Sequence, residues 1–161
     1  MREGGQRTAE RDPRKAAILA EWLRRTLESY PPPAGRFLAE EKDRFRNPVG
    51  YTLREGLSLL LDELLGPMRQ EGLREALEGI VRVRAVQDFT PREALAFLPL
   101  LKQILREQRW QAETPAELDA RIDEALLLAC DLYVRCREQI AEIKIGELRR
   151  RHYLAERAGW R

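Results

Sequence analysis

The sequence is poor in the residue types that usually carry catalysis. It contains one histidine, His152, one asparagine, Asn47, and two serines, Ser29 and Ser58. A hydroxyl or thiol nucleophile needs a neighbouring base, and a catalytic metal ion needs several protein ligands. Carboxylates are plentiful, but 27 acidic residues stand among 29 lysines and arginines. We therefore predict that this protein is not an enzyme.

Cofactor and metal sites are not indicated either. Cys130 and Cys136 stand six residues apart, so on a helix they point in different directions, and they do not form a CxxC motif. The sequence has no GxGxxG or Walker A phosphate loop. We expect two buried structural thiols, no metal ion and no cofactor.

One polar cluster lies near a predicted helix end. It consists of Arg82, Arg84, Gln87 and Asp88. Arg84 and Asp88 are four residues apart and can form an ion pair on a helix. Because Arg84 falls close to the apolar face of its helix, we expect it to be partly buried and to need a carboxylate partner. The cluster is either a structural ion-pair network or an anion- or signal-binding pocket.

A second candidate is the segment NPVGYT at 47–52. In one interpretation, the side chain of Asn47 satisfies backbone donors at the start of a helix. In the other, Asn47 and Tyr51 belong to a surface that binds a small ligand or a partner.

Four residue pairs mark the starts of the helices that position these clusters. Each joins a good N-cap residue to a proline at the first helical position. The pairs are Asp12-Pro13, Asn47-Pro48, Thr90-Pro91 and Thr114-Pro115. Both threonines are followed three residues later by glutamate, as in a capping box. With the apolar spacing, these signals predict helices over about 13–29, 48–65, 69–87, 91–108 and 115–156, and a short helical piece within 36–46. Pro99 should kink the helix over 91–108.

The last predicted helix is the longest, since no helix breaker precedes Gly146. Roughly 35 residues of helix span about 50 Å, which exceeds the width of one small domain. Apolar residues three or four apart form a nearly heptad seam along it. The seam comprises Leu118, Ile122, Ala129, Leu132, Cys136, Ile140 and Ile143. We predict that this helix packs against the first one and that its C-terminal part projects or forms a homodimer.

The composition, 43% hydrophobic and 35% charged, is typical of a globular protein with a densely charged surface. The length fits one domain over 13–161 after a flexible segment over 1–12. There is neither an apolar run of membrane-spanning length nor a secretory signal. A net charge of +2 without a basic stripe argues against nucleic-acid binding. We expect a cytoplasmic protein that binds neither nucleic acid nor a membrane.

Several segments resemble the N-terminal domain of RsbRD-type proteins, the co-antagonists of the RsbT switch kinase in bacterial stressosome systems. They are NPVGYT at 47–52, RAVQDFTPREALAF at 84–97, LYVRCRE at 132–138, and Trp22 followed by Tyr30-Pro31. They match in order and spacing from Lys15 to Glu147. The resemblance implies an all-α, globin-like bundle of about five or six helices that lacks haem, forms dimers and receives a signal.

Long members of this family continue into a STAS domain that carries phosphorylated threonines and binds the kinase. The sequence ends at Arg161, before such a domain. The resemblance therefore predicts a stand-alone sensory or regulatory module whose output partner is a separate STAS-domain or switch-kinase protein. Two alternatives stay open: an accessory subunit of a redox or other metabolic enzyme complex, and a haem- or tetrapyrrole-binding relative, which would be coloured.

Overall fold

The protein is an all-α bundle with a long C-terminal helix, as predicted. The computed structural model describes residues 12–87, 89–110 and 114–159, and these contain seven helices and no strand. The helices are α1 (Pro13–Leu27), α2 (Pro32–Glu40), α3 (Pro48–Leu65), α4 (Gln70–Val86), α5 (Pro91–Leu95), α6 (Phe97–Glu107) and α7 (Pro115–Arg157). Except for Asp12, the segment 1–12 that was predicted to be flexible lies outside the described residues.

The predicted cap and proline pairs all stand at helix starts. The carboxylate of Asp12 and the amide oxygen of Asn47 each accept a backbone N–H of the following turn. Thr90 and Glu93 form the predicted capping box, in which each side chain bonds the other residue's backbone N–H. These starts could be predicted because N-capping depends only on residues within one turn.

The second predicted capping box, at Thr114, is wrong. The Thr114 hydroxyl donates to a carboxylate oxygen of Glu117 at 2.7 Å and makes no bond to the backbone of α7. Arg121, one turn further, binds the other carboxylate oxygen of Glu117 at 2.8 Å. The glutamate is therefore held by side chains, and the box does not close.

Pro99 has a larger effect than the predicted kink. The chain forms two helices, α5 and α6, which are separated at Ala96. Proline has no N–H for the carbonyl of Leu95, four residues earlier, and its ring crowds that carbonyl. Pro99 instead lies in the first turn of α6, where no intrahelical donor is needed. This break raises the number of described helices to seven, above the predicted five or six. The short helix predicted within 36–46 is α2, which spans Pro32–Glu40 instead.

The centre of the bundle is the contact between α3 and α4. A Cβ added at Gly56 of α3 would stand only 2.6 Å from Cγ1 of Ile80 on α4, so the two helices approach closely. α7 packs mainly against α4 and not, as predicted, against α1, because α1 packs on α3 and α6. The fully buried core includes Trp22, Leu53, Leu57, Leu60, Leu61, Leu73, Leu77, Ile80 and Phe97.

The predicted seam of α7 faces mostly into this bundle. Leu118, Ile122, Ala129 and Leu132 are buried, Cys136 and Ile140 are half-buried, and Ile143 is exposed. The seam is therefore largely a contact within the chain. Beyond Ile140, no described residue of α7 is buried, and the exposed part over 141–157 adds about 25 Å of helix. None of the described helices is both long and apolar enough to cross a membrane.

The prediction of two buried thiols is wrong. Cys130 is exposed and Cys136 is half-buried. Cys136 belongs to the seam that faces α4, whereas Cys130 lies on a different side of α7. The predicted seam includes Cys136 and not Cys130, so the apolar spacing agrees with this difference.

Candidate functional site at the Arg84 junction

Arg84 is the centre of a buried polar cluster where three helices end or begin. Its side chain is only 1% exposed. Nε donates to the backbone oxygen of Ala94 at 2.9 Å. Nη2 donates to the backbone oxygen of Glu93 at 2.8 Å and to the hydroxyl oxygen of Ser29 at 3.0 Å. The helix α5 is only five residues long, so the backbone carbonyls of its last turn lack donors within the helix. The guanidinium of Arg84 supplies these donors.

Two aromatic rings complete the environment of Arg84. The guanidinium carbon lies 4.5 Å from the ring centre of Phe89 and 5.5 Å from that of Tyr30. These two rings meet edge to face at 5.2 Å. The Tyr30 hydroxyl donates to the Gln87 side-chain oxygen at 2.8 Å. Burial raises the pKa of Tyr30 and lowers the pKa of Arg84, because a charge in either group is poorly solvated here.

The expected carboxylate partner of Arg84 is not found among the described residues. Its hydrogen bonds go to neutral oxygens, and Nη1 has no hydrogen-bond partner within the described ranges. The carboxylate of Glu93 accepts from the backbone N–H and the hydroxyl of Thr90, and these bonds hold the pKa of Glu93 below its ordinary value. Asp88, the predicted ion-pair partner, lies outside the described residues.

The long helix α7 is hydrogen-bonded to the same region. The Tyr133 hydroxyl donates to the backbone oxygen of Phe89 at 2.5 Å. Nη1 of Arg137 donates to the backbone oxygen of Ala85 at 3.1 Å. These bonds fix α7 to the end of α4 and to the turn between α4 and α5. We call the whole arrangement the Arg84 junction, which comprises Ser29, Tyr30, Arg84, Ala85, Gln87, Phe89, Glu93, Ala94, Tyr133 and Arg137.

The junction contains some of the predicted polar residues and several that were missed. Arg84 and Gln87 belong to it, whereas Arg82 is an exposed residue of α4. Tyr30 and Tyr133 were not predicted, because contacts between distant helices leave no local pattern. A signal existed nonetheless: three of the segments that carry the family resemblance, those around residues 30, 84–97 and 132–138, meet here.

The other predicted site, at Asn47 and Tyr51, is a structural connection between α2 and α3. Asn47 is buried, and its Nδ2 donates to the backbone oxygens of Leu38 at 3.1 Å and Glu41 at 2.8 Å. Arg54 donates to the same two oxygens. Asn47 thus holds the end of α2 while it caps α3. Tyr51 is exposed and does not share these bonds.

The described residues contain no cluster of three histidine, cysteine or acidic side chains that could hold a metal ion. The centre of the junction consists of a buried cation, two aromatic rings and hydrogen bonds to neutral oxygens. Such an arrangement connects the ends of α1 and α4 to the start of α5.

The comparisons with known proteins identify a family. Neither the curated proteins nor the solved structures gave a match. One family does match over residues 16–147, and it is described as the RsbT co-antagonist protein rsbRD N-terminal domain. The match covers most of α1, all of α2 to α6 and most of α7, and thus includes the entire Arg84 junction. The chain belongs to this family of signalling domains, as its sequence motifs predict.

Proposed function

We propose that this protein is a non-catalytic sensory module of bacterial stress signalling, acting in the cytoplasm. A signal that changes the Arg84 junction is transmitted through α7 to a partner. The observation that carries the proposal is the pair of hydrogen bonds from Tyr133 and Arg137, which tie the output helix to the turn between α4 and α5.

The signal can pass between helices because α1, α4 and α5 all contact one side chain, that of Arg84. The end of α1 reaches Arg84 through Ser29, and the start of α5 reaches it through Glu93 and Ala94. A shift of either helix changes the position of Phe89 and so the bond to Tyr133. Since α7 continues for about five turns beyond the bundle, a small rotation at its base moves the whole exposed part.

The output partner in this proposal is a separate regulatory protein of the STAS-domain or switch-kinase type. Family membership supports this partner class, because the family takes its description from the RsbT co-antagonist. The exposed part of α7 offers a surface to such a protein. We further propose that the module works as a homodimer.

The test is an affinity pull-down of the tagged full chain from its own cells, read by mass spectrometry. We expect the native protein to recover STAS-domain proteins or a switch kinase. The variant Tyr133→Phe removes the bond to Phe89 and should change that recovery. The matched control is Tyr51→Phe, which alters an exposed tyrosine of α3, outside both the Arg84 junction and α7. Recovery of metabolic enzyme subunits alone would contradict the proposal and favour an accessory subunit.

A further inference from the structure

Ser29 is an exposed residue whose hydroxyl contacts a buried cation. It lies in the turn that follows α1. Its Oγ accepts a hydrogen bond from Nη2 of Arg84 at 3.0 Å and donates one to the backbone oxygen of Thr26 at 2.7 Å. The side chain of Arg84, by contrast, is only 1% exposed. Ser29 therefore connects the buried guanidinium to the surface of the protein.

The guanidinium of Arg84 has donor capacity that the described residues do not use. Nη1 is buried and has no hydrogen-bond partner among them, and the partners of Nε and Nη2 are neutral oxygens. A buried charge is costly unless an opposite charge and further hydrogen bonds compensate for the lost water. The carboxylate of Glu93 is bonded to Thr90 instead. An anionic group on Ser29 would supply a charge and acceptors to this guanidinium.

We propose that Ser29 is a phosphorylation site and that its phosphoryl group pairs with Arg84. This inference rests on the function proposed above, because it names a signal that acts on the Arg84 junction. In the reaction, a protein kinase transfers the γ-phosphoryl group of a nucleoside triphosphate to the Oγ of Ser29. The Oγ–P bond forms and the bond from the γ-phosphorus to the β–γ bridging oxygen breaks. The hydroxyl proton passes to a base of the kinase, and the nucleoside diphosphate leaves.

A covalently attached phosphoryl group fits this position better than a free anion. Because Arg84 is 1% exposed and its Nη1 is buried, a dissolved anion does not reach the guanidinium unless the junction opens. The phosphoryl group, in contrast, is attached to an oxygen that already lies 3.0 Å from Nη2. It carries three acceptor oxygens and a charge of about −1.5 to −2 at pH 7. Hydrogen bonds to such a charged group are about twice as strong as bonds between neutral groups.

The same modification would loosen the end of α1. The esterified Oγ has no hydrogen, so the bond from Ser29 to the backbone oxygen of Thr26 is lost. The new charge also stands at the C-terminal end of α1, where the helix dipole repels an anion. Repulsion from α1 and attraction to Arg84 both favour a shift of this turn towards the guanidinium. The next residue, Tyr30, would transmit the shift, since its hydroxyl bonds the side chain of Gln87.

The first experiment is mass spectrometry of the full chain purified from its own cells, with and without stress. We expect a phosphate on Ser29 in a fraction of the molecules that differs between the two conditions. Fragment ions must place the phosphate on Ser29 and not on Thr26 or Tyr30, which are buried. Ser58, the second serine of the chain, is the internal control, because it lies on α3 outside the Arg84 junction. An unmodified Ser29 under both conditions would overturn the proposal.

The second experiment tests the pairing with Arg84 by phosphorus NMR on the full chain with genetically encoded Ser29→phosphoserine. The adjacent cation should lower the second pKa of the phosphate by about one unit or more from its ordinary value of about 6. The matched control is Gln108→phosphoserine, because Gln108 is an exposed residue at the end of α6. Equal pKa values at the two positions would overturn the pairing. So would the loss of the native circular dichroism spectrum in Ser29→phosphoserine alone.

Failure of this site is distinguishable from failure of the proposed function. If Ser29 is never phosphorylated, the phosphorylation site is wrong, and the pull-down of the native chain still identifies the output partner. If Ser29 is phosphorylated and its phosphate has the lowered pKa, the site is confirmed. Recovery of metabolic enzyme subunits alone would then contradict only the proposed function.

Discussion

The guanidinium of Arg84 closes the last turn of α5, with Nε 2.9 Å from the backbone oxygen of Ala94. Pro99 prevents α5 and α6 from forming one helix, and the interruption at Ala96 requires donors from outside the helix. Arg84 supplies them from α4. The buried charge of Arg84 thus has no carboxylate contact among the described residues. Backbone carbonyl oxygens and two aromatic rings stabilise it in place of water.

Replacement of Arg84 tests this relationship. Arg84→Ala should lower the free energy of unfolding by about 2–4 kcal/mol, because two buried carbonyls lose a donor and a cavity remains. Urea denaturation followed by circular dichroism measures the change. Arg82→Ala is the matched control, since Arg82 is an exposed arginine of the same helix, and it should change stability by less than about 0.5 kcal/mol. Equal effects of the two variants would refute the role given to Arg84.

We predict that Glu21 contributes to the pH dependence of the stability of the protein. Hydrogen bonds from Arg24 and then from Arg25 lower the pKa of Glu21 from its ordinary 4.5 to about 2. A lowered carboxyl pKa stabilises the folded state above pH 4.5, and this contribution disappears as the pH falls towards 2. The Glu21→Gln protein should therefore lose less stability than the native protein when the pH falls from 4.5 to 2.

The measurement for Glu21 is the urea midpoint as a function of pH. Glu124→Gln, which removes an exposed carboxylate from α7, is the control. A Glu21→Gln protein that loses stability as steeply as the native protein below pH 4.5 would contradict the assignment.

The helix starts could be predicted from the sequence, whereas the junction could not. Asp12, Asn47 and Thr90 act on their own first turns, so their roles are encoded locally. The partners of Arg84 depend on a helix break that Pro99 causes in another element. We expected Arg84 to need a carboxylate partner, because its neighbours in the sequence are charged. The sequence does not show that backbone carbonyls of α5 lack donors.

The two sides of α7 illustrate a second limit. Apolar spacing correctly identified the side that contains Ile122 and Ala129, and both are buried. The opposite side, with Leu127 and Val134, also has apolar residues at helical spacing, but the bundle does not cover it. A helix that is apolar on two sides gives a weak periodic signal, so the sequence alone does not assign each side to its partner.

Close packing of α3 on α4 leads to a prediction for Gly56. Alanine favours a helix over glycine by about 1 kcal/mol, yet Gly56→Ala should destabilise the protein by about 1–3 kcal/mol. The new methyl group would stand 2.6 Å from Cγ1 of Ile80 and 3.2 Å from the backbone oxygen of Ala76, so the helices must separate. Thermal denaturation checks the sign.

Gly146→Ala is the control for Gly56→Ala. A Cβ at Gly146 has nothing within 4 Å, so only the gain in helix propensity remains. We expect Gly146→Ala to leave the melting temperature unchanged or to raise it slightly. If Gly56→Ala behaves in the same way, the close approach of α3 and α4 is wrong.

The two roles of Asn47 can be separated by one substitution. Asparagine and aspartate cap helices about equally well, so Asn47→Asp preserves the bond from the backbone N–H of Gly50. It removes the Nδ2 donor to Leu38 and Glu41 and places a carboxylate beside their carbonyl oxygens. We expect a loss of about 1–3 kcal/mol in the free energy of unfolding. The control is Asp12→Asn, which exchanges the same two side chains at a cap that only accepts a bond. A small effect at both positions would mean that Asn47 acts only as a cap and that its bonds to Leu38 and Glu41 add little stability.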